Sequence, residues 1–165
     1  NNYVGEKEAI VTGKLFGKPW RGKIDCLNLE EGYFIDLKTA ASLDRTFWSV
    51  GENGRRHKRL WFEEFGYIMQ LAIYQQLIYQ TYGKMLQPFI FAVSKEAIPD
   101  HLAISFRQPL LDEQMKTVER LLPSFQAVVD GEREPERCEH CDYCRSTKRL
   151  HGFADAEDLM EQGEK

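Results

Sequence analysis

The sequence has no apolar run long enough to cross a membrane, no internal repeat and no low-complexity stretch. It carries no signal peptide, so we expect neither secretion nor membrane association. It also lacks a basic excess, because 26 acidic residues against 22 basic ones give a net charge of -4. This balance does not by itself indicate a nucleic-acid binder. The 165 residues suffice for one globular domain with a hydrophobic core, which we expect in the cytoplasm.

Cysteine is scarce, and its placement is unlike the disulfide framework of a secreted protein. Three of the four cysteines follow the spacing C-x-x-C-x-x-C, namely Cys138, Cys141 and Cys144. This spacing predicts a metal site, either zinc or an iron–sulfur cluster, and three reduced thiols in a turn are the alternative. His140 or His151 could complete a zinc site. Cys26 is expected on the sheet face opposite Asp25, and therefore not as a fourth ligand.

The hydrophobic pattern predicts an α/β (α+β) fold with one mixed central β-sheet and helices against it, in the order β-β-β-α-β-β-α. Strands are expected at 8–16, 20–28, 33–39, 88–93 and 101–106, and helices at 61–82 and 110–129. Pro123 predicts a kink or break in the second helix. We expect a single domain over residues 1–150, which includes the cysteine segment 138–144, and a disordered tail over 151–165.

Residues 40–59 have an irregular pattern that predicts an exposed loop with a strongly basic run. Its cations are expected to contact DNA backbone phosphates without reading sequence: Arg55, Arg56, Lys58 and Arg59. Phe47 and Trp48 flank this run and could stack on unpaired bases, whereas Trp61 is expected in the core. The alternative is a solvated loop that its aromatic residues anchor to the core.

Two acids and a lysine are the most informative residues of the sequence. Asp36 and Lys38 share one face of a strand, because side chains alternate along strands. A turn at 29–32, with Gly32 at positive φ, would bring Asp25 beside Asp36. Two carboxylates and an ammonium group at one place suit a divalent cation and an activated water. Ordinary surface charges on a hairpin are the alternative.

Gln70 and Tyr74 are four residues apart and therefore lie on one face of the first long helix. Both are neutral groups that can hold a phosphate or a water without changing the charge at a metal. A half-buried polar pair with no functional role is the alternative interpretation.

The ordered set Gly22-x-Ile24-Asp25, Asp36-Leu37-Lys38-Thr39 and Gln70-x-x-x-Tyr74 resembles the PD-(D/E)XK nuclease superfamily. It is most similar to RecB/RecE-like phage exonucleases of the exodeoxyribonuclease VIII type. The resemblance implies a restriction-endonuclease-like fold and a metal-dependent DNA exonuclease of phage or prophage recombination in a bacterial host. Its substrate would be linear duplex or single-stranded DNA, and its partners a homo-oligomeric ring and a single-strand annealing protein.

The resemblance also implies roles for individual residues. Asp25 and Asp36 would ligate Mg²⁺ or Mn²⁺ with the backbone carbonyl of Leu37, and Lys38 would orient the attacking water. Gln70 and Tyr74 would position the phosphate or the water. The family usually adds an acidic or His ligand from an upstream helix, and the nearest acids here are Glu6 and Glu8. Two alternatives remain: an iron–sulfur-containing RecB-family nuclease of repair or adaptation type, and a non-catalytic DNA-end binding module.

Overall fold

The computed structural model describes residues 4–50, 55–139, 141–150, 152–157 and 160. In this part of the chain the elements are β1 (Glu6–Leu15), β2 (Lys18–Asn28), β3 (Tyr33–Ala40), β4 (Thr46–Val50), β5 (Arg56–Leu60), α1 (Trp61–Glu64), α2 (Tyr67–Tyr82), β6 (Gln87–Ser94), β7 (His101–Ser105), α3 (Gln108–Val129) and α4 (Asp142–Ser146). The chain forms two compact units, Asn1–Pro123 and Ser124–Lys165. Among the described residues, no helix combines the length and apolar character that a membrane span requires.

The first unit contains a five-stranded mixed sheet with the strand order β1-β2-β3-β6-β7. Strands β1, β2 and β3 form an antiparallel meander, β6 runs parallel to β3, and β7 is antiparallel to β6. A parallel pair cannot be joined by a short turn, so the chain leaves the sheet after β3 and returns through α2. The predicted mixed sheet with helices against it is therefore confirmed.

Strand β3 is the centre of the sheet and is covered on both faces. Phe34 belongs to the main core, while Ile35 packs with Cys26 and Tyr33 in a second apolar cluster. Helix α2 covers the main-core face with fully buried side chains such as Leu71. Burying one side chain of this size stabilises the fold by about 1.5–3 kcal/mol. The face of β3 that carries Phe34 thus looks into a packed core between sheet and helix.

The predicted irregular loop at 40–59 is wrong, because β3 runs to Ala40 and the basic run lies in a hairpin of β4 and β5. The hairpin is a separate two-stranded sheet in which Thr46 pairs with Leu60 and Trp48 with Lys58. Most of its side chains are exposed. The apolar–polar alternation that identifies a half-buried strand is therefore missing from its sequence.

The helix predicted at 61–82 is two helices, α1 and α2. Gly66 separates them with a φ of +69°, a left-handed conformation that glycine adopts without strain. The apolar spacing continues across this point at Phe65, which is nevertheless 56% exposed, so periodicity alone does not reveal the break. The break predicted at Pro123 is not present, because α3 extends from Gln108 to Val129.

Gly22 allows helix α2 to approach strand β2. A Cβ atom at this position would lie 2.9 Å from Cε1 of Tyr74 and 3.2 Å from Cγ2 of Val11. We expect Gly22→Ala to lower the free energy of unfolding by about 1–3 kcal/mol, because a methyl group there displaces the tyrosine ring. Urea denaturation measures this difference. Gly152→Ala is the control, since a Cβ there would meet no atom within 4 Å; equal stability of all three proteins would contradict the close approach.

Candidate active site

Strands β2 and β3 place Asp25 and Asp36 at neighbouring positions. The antiparallel register ends at the pair Cys26–Ile35, and Asp25 and Asp36 are the next residues beyond this pair on the two strands. The carboxylate of Asp25 also crosses to the next strand, where its Oδ2 accepts a hydrogen bond of 2.7 Å from the backbone N–H of Leu37. Gly32 has a φ of +79° in the intervening turn, as the sequence predicts. The two acids therefore occupy adjacent strands at the same level of the sheet.

The backbone is irregular at Asp25. Ile24 and Leu27 both face the main core, while Cys26 between them lies in the second cluster. Strict alternation would put Ile24 and Cys26 on one face, so the pattern shifts at Asp25. Opposite this residue, Glu8 has a φ of +53°, and the register of β1 and β2 contains no Glu8–Asp25 pair. Such irregularities redirect side chains near functional sites. Here the shift occurs at Asp25, whose carboxylate accepts a hydrogen bond from β3.

Asp36 and Lys38 form a buried ion pair on the side of β3 that faces α2. Asp36 is 3% exposed, and its Oδ2 lies 2.5 Å from Nζ of Lys38. Lys38 is the cation that faces this oxygen, and it compensates part of the carboxylate charge. Burial raises the pKa of the Asp36 carboxyl; Lys38 acts against this change, and Asp25 adds to it. The interior thus contains a carboxylate whose charge is only partly compensated.

Tyr67 is a residue of the site that the sequence interpretation missed. Its ring lies beneath the ammonium group of Lys38, with Nζ 4.5 Å from the ring centroid. The aromatic face attracts a cation, so Lys38 is held between a carboxylate and a ring. The spacing could have revealed it, because Tyr67, Gln70 and Tyr74 follow the i, i+3, i+7 pattern of a single helix face.

Gln70 and Tyr74 complete this face of α2. The Gln70 side-chain amide donates a hydrogen bond of 2.9 Å to the Tyr74 hydroxyl. Both side chains are partly buried, and the Tyr74 ring lies against Gly22 of β2. The acids and the lysine lie together on β2 and β3, while the amide and the phenol share a face of α2 with Tyr67, which contacts Lys38.

The carboxylates of Asp25 and Asp36 fit a hard divalent cation. Oxygen donors are the ligands that Mg²⁺ and Mn²⁺ prefer, and the Asp36 carboxylate is buried with Lys38 as its ion-pair partner among the described residues. A third acidic or His side chain does not join the two acids among the described residues. Glu8 forms an ion pair of 2.8 Å with Lys23 instead. The acid pair therefore supplies an incomplete protein ligand set.

The cations of the hairpin lie on its two faces. Arg56 and Lys58 lie on the same face as Trp48. The guanidinium carbon of Arg56 is 5.2 Å from the ring centroid of Trp48, and Nζ of Lys58 is 5.4 Å from it. Arg59 is on the other face, where it donates to the carbonyl of Glu63 at 2.5 Å and lies 3.5 Å from the Glu64 carboxylate. Arg55 is exposed beside them. Trp61 is buried, as predicted, and donates to the backbone carbonyl of Leu43.

The second unit brings the three clustered cysteines together. The Sγ atoms of Cys138, Cys141 and Cys144 all lie within 4.8 Å of one another. Two backbone N–H groups point at these sulfurs, that of Cys141 at Cys138 and that of Cys144 at Cys141. Burial raises the pKa of the Cys144 thiol. His140 and His151, predicted as further zinc ligands, lie outside the described residues, as does part of the tail predicted to be disordered.

Cys26 belongs to the first unit. It is buried in the second apolar cluster of the sheet, and its sulfur lies 3.3 Å from Nζ of Lys7.

Comparison with known proteins points to one family. The family model for the PDDEXK-like domain of unknown function (DUF3799) matches residues 1–147 of this chain. A crystal structure of a protein from Eubacterium rectale, named "Putative exonuclease", superposes with a TM-score of 0.82 at 34% identity over 95% of this chain. This chain spans 57% of that protein. The superposition confirms the predicted restriction-endonuclease-like fold.

A second solved structure, that of SSO0001, is 17% identical with a TM-score of 0.46, and the match covers 84% of this chain and 56% of that one. No curated protein matches the chain.

We expect Mn²⁺ to raise the melting temperature of the protein, because a ligand that binds only the folded state stabilises it. At a hundredfold excess over Kd the rise should be about 5–10 °C. Asp25→Asn and Asp36→Asn should each abolish most of this rise, whereas Glu113→Gln, an exposed acid paired with Lys116 on α3, should retain it. Differential scanning calorimetry measures the shifts. An unchanged Mn²⁺ response in Asp36→Asn would remove this residue from the ligand set.

Proposed function

Because the chain belongs to the family of PDDEXK-like domains, we propose that it is a metal-dependent nuclease that hydrolyses phosphodiester bonds in DNA. The observation that carries the proposal is the buried Asp36–Lys38 ion pair, which lies beside a second carboxylate and beneath a polar helix face. Burying a carboxylate costs free energy, and packing of the strand alone does not require a lysine beside it. A site that binds a metal cation and a phosphate group would account for both the buried carboxylate and the lysine beside it.

Asp25 and Asp36 would hold Mg²⁺ or Mn²⁺, with the Leu37 carbonyl as a further oxygen ligand. When bound, such an ion lowers the pKa of a coordinated water and neutralises charge on phosphate oxygens. Lys38 would donate hydrogen bonds to the attacking water or to a phosphate oxygen. Its ammonium group is already oriented by Asp36 and by the Tyr67 ring, so little conformational freedom has to be lost when the substrate arrives.

Gln70 and Tyr74 would position the phosphate. The Tyr74 hydroxyl accepts the hydrogen bond from Gln70 and still carries its own hydrogen as a donor. A phenol and an amide supply donors without adding charge, so they can hold a phosphate oxygen while the charge at the metal remains unchanged. The two side chains would therefore determine where the scissile bond lies relative to Lys38.

We infer further that the enzyme degrades DNA from its ends. The similar protein from Eubacterium rectale carries the word exonuclease in its name, and the motif order resembles RecE-like exonucleases. A role in phage or prophage recombination in the bacterial cytoplasm, with a ring-shaped homo-oligomer and an annealing protein as partners, follows from the same resemblance.

A second proposal concerns the cysteine triad, for which we favour a single zinc ion over an iron–sulfur cluster. Tetrahedral zinc with Zn–S bonds of about 2.3 Å separates its sulfurs by about 3.8 Å. The sulfurs of Cys138 and Cys144 are 3.8 Å apart. In a four-iron cluster each thiolate binds a different iron, and the sulfurs stand farther apart. The three thiolates would leave one zinc position for a further ligand.

Cleavage of end-labelled linear DNA in Mg²⁺ tests the nuclease proposal. We expect the full-length protein to release nucleotides, and Asp36→Ala and Lys38→Ala to lower the rate by about a hundredfold or more, because each removes a group that stabilises the transition state. Lys116→Ala, an exposed lysine on α3, is the matched control. Unimpaired cleavage by a folded Lys38→Ala protein would refute the assigned site. DNA binding without any cleavage by the wild type would favour the non-catalytic module.

Metal analysis of the purified protein tests the zinc proposal. We expect a colourless protein with about one zinc per chain, and Cys141→Ser should lose most of it, because tight structural sites need all their thiolates. Cys26→Ala should keep its zinc, since this residue is buried in the sheet. A brown protein with several irons per chain after anaerobic purification would instead establish the iron–sulfur alternative.

A further inference from the structure

The β4–β5 hairpin has one anchored face and one exposed face. On the anchored face, Phe47 packs edge-on against Phe65 with a centroid distance of 5.4 Å, and Arg59 bonds to the carbonyl of Glu63. On the exposed face, Trp48 is 61% accessible to solvent and pairs across the hairpin with Lys58. The hairpin is therefore held to the body of the unit while it presents an indole ring outward.

The exposed indole is unusual for this chain, because Trp61 is 2% exposed and Trp20 is partly buried against the main core. Its neighbours are cationic: the guanidinium carbon of Arg56 and Nζ of Lys58 lie 5.2 and 5.4 Å from its ring centroid. A flat aromatic ring with two cations beside it suits a ligand that combines a π-face with negative charge. An unpaired nucleotide of a DNA strand is such a ligand.

A chain of ring contacts links the anchored face of the hairpin to the candidate active site. Consecutive contacts lead from Nζ of Lys38 to the Tyr67 ring at 4.5 Å, from Tyr67 to Phe65 at 6.0 Å, and from Phe65 to Phe47 at 5.4 Å. Phe47 directly precedes Trp48 in β4. A strand that contacts the exposed face of the hairpin would thus lie within a few nucleotides of the scissile phosphate.

We propose that Trp48 stacks on an unpaired base of the DNA substrate while Arg56 and Lys58 contact the neighbouring phosphates. Bases inside a duplex are covered on both faces by their stacked neighbours and a blunt end exposes one face of a single pair, whereas a single-stranded end frees several bases, so the preferred substrate has a single-stranded end. Stacking and phosphate contacts read no sequence, and the binding is therefore sequence-independent. This proposal rests on the proposed nuclease function, because it assigns a substrate form to that site.

Binding without added Mg²⁺ by the cleavage-deficient Lys38→Ala protein tests this proposal separately from catalysis. Fluorescence anisotropy compares a duplex with a single-stranded overhang and a blunt duplex of the same length. In this background we expect Trp48→Ala to weaken overhang binding about tenfold, the effect of one lost stacking contact, and to change blunt-duplex affinity less than twofold. Trp48→Phe should retain most of the affinity. Phe125→Ala, an exposed aromatic on α3, is the matched control and should have no effect.

The phosphate contacts give a second measurement. Arg56→Gln and Lys58→Gln should each reduce the slope of log affinity against log salt for overhang DNA by about one. Equal losses on overhang and blunt DNA, or no loss with Trp48→Ala, would overturn the proposal. Loss of overhang binding in Trp48→Ala with no cleavage by the wild type would leave the hairpin proposal intact and overturn only the proposed catalytic function.

Discussion

Asp36 places a carboxylate in the interior of the central strand, where an isolated charge is costly unless a cation or hydrogen-bond donors compensate it. Lys38 provides that cation from two residues along the same strand, and strand alternation puts the two side chains on one face. The ammonium group is itself only 15% exposed and needs the carboxylate in turn. Each charge therefore stabilises the other at this position between β3 and α2.

The neighbouring elements are arranged around this pair. Strand β2 brings Asp25 close to Asp36, and the Leu37 N–H donates a hydrogen bond to the Asp25 carboxylate. Helix α2 supplies the Tyr67 ring under Lys38 and the Gln70–Tyr74 pair beyond it. This helix can approach β2 because Gly22 has no side chain. The site thus depends on packing distances between sheet and helix as much as on the charged residues themselves.

Much of this arrangement could be predicted from the sequence, because its signals are local. The alternation of Asp36 and Lys38, the turn at Gly32 and the spacing of Gln70 and Tyr74 each follow from the geometry of one element. The shift in side-chain alternation at Asp25 could not be predicted from β2 alone, because it occurs opposite the positive φ of Glu8 on the neighbouring strand β1. The β4–β5 hairpin was not predicted because most of its side chains are exposed and its sequence lacks a regular apolar–polar alternation.

The charges of the hairpin show why net charge is a weak guide to partners. The chain is acidic as a whole, yet the exposed face of the hairpin gathers Arg56 and Lys58 around Trp48. Electrostatic attraction between exposed groups is largely screened beyond about 10 Å, so a polyanion responds to the local cations rather than to the total. Arg59 has the same charge but bonds to Glu63 and Glu64, and it therefore contributes to anchoring. A basic run in the sequence divides into ligand-facing and structural cations only when strand register assigns each side chain to a face.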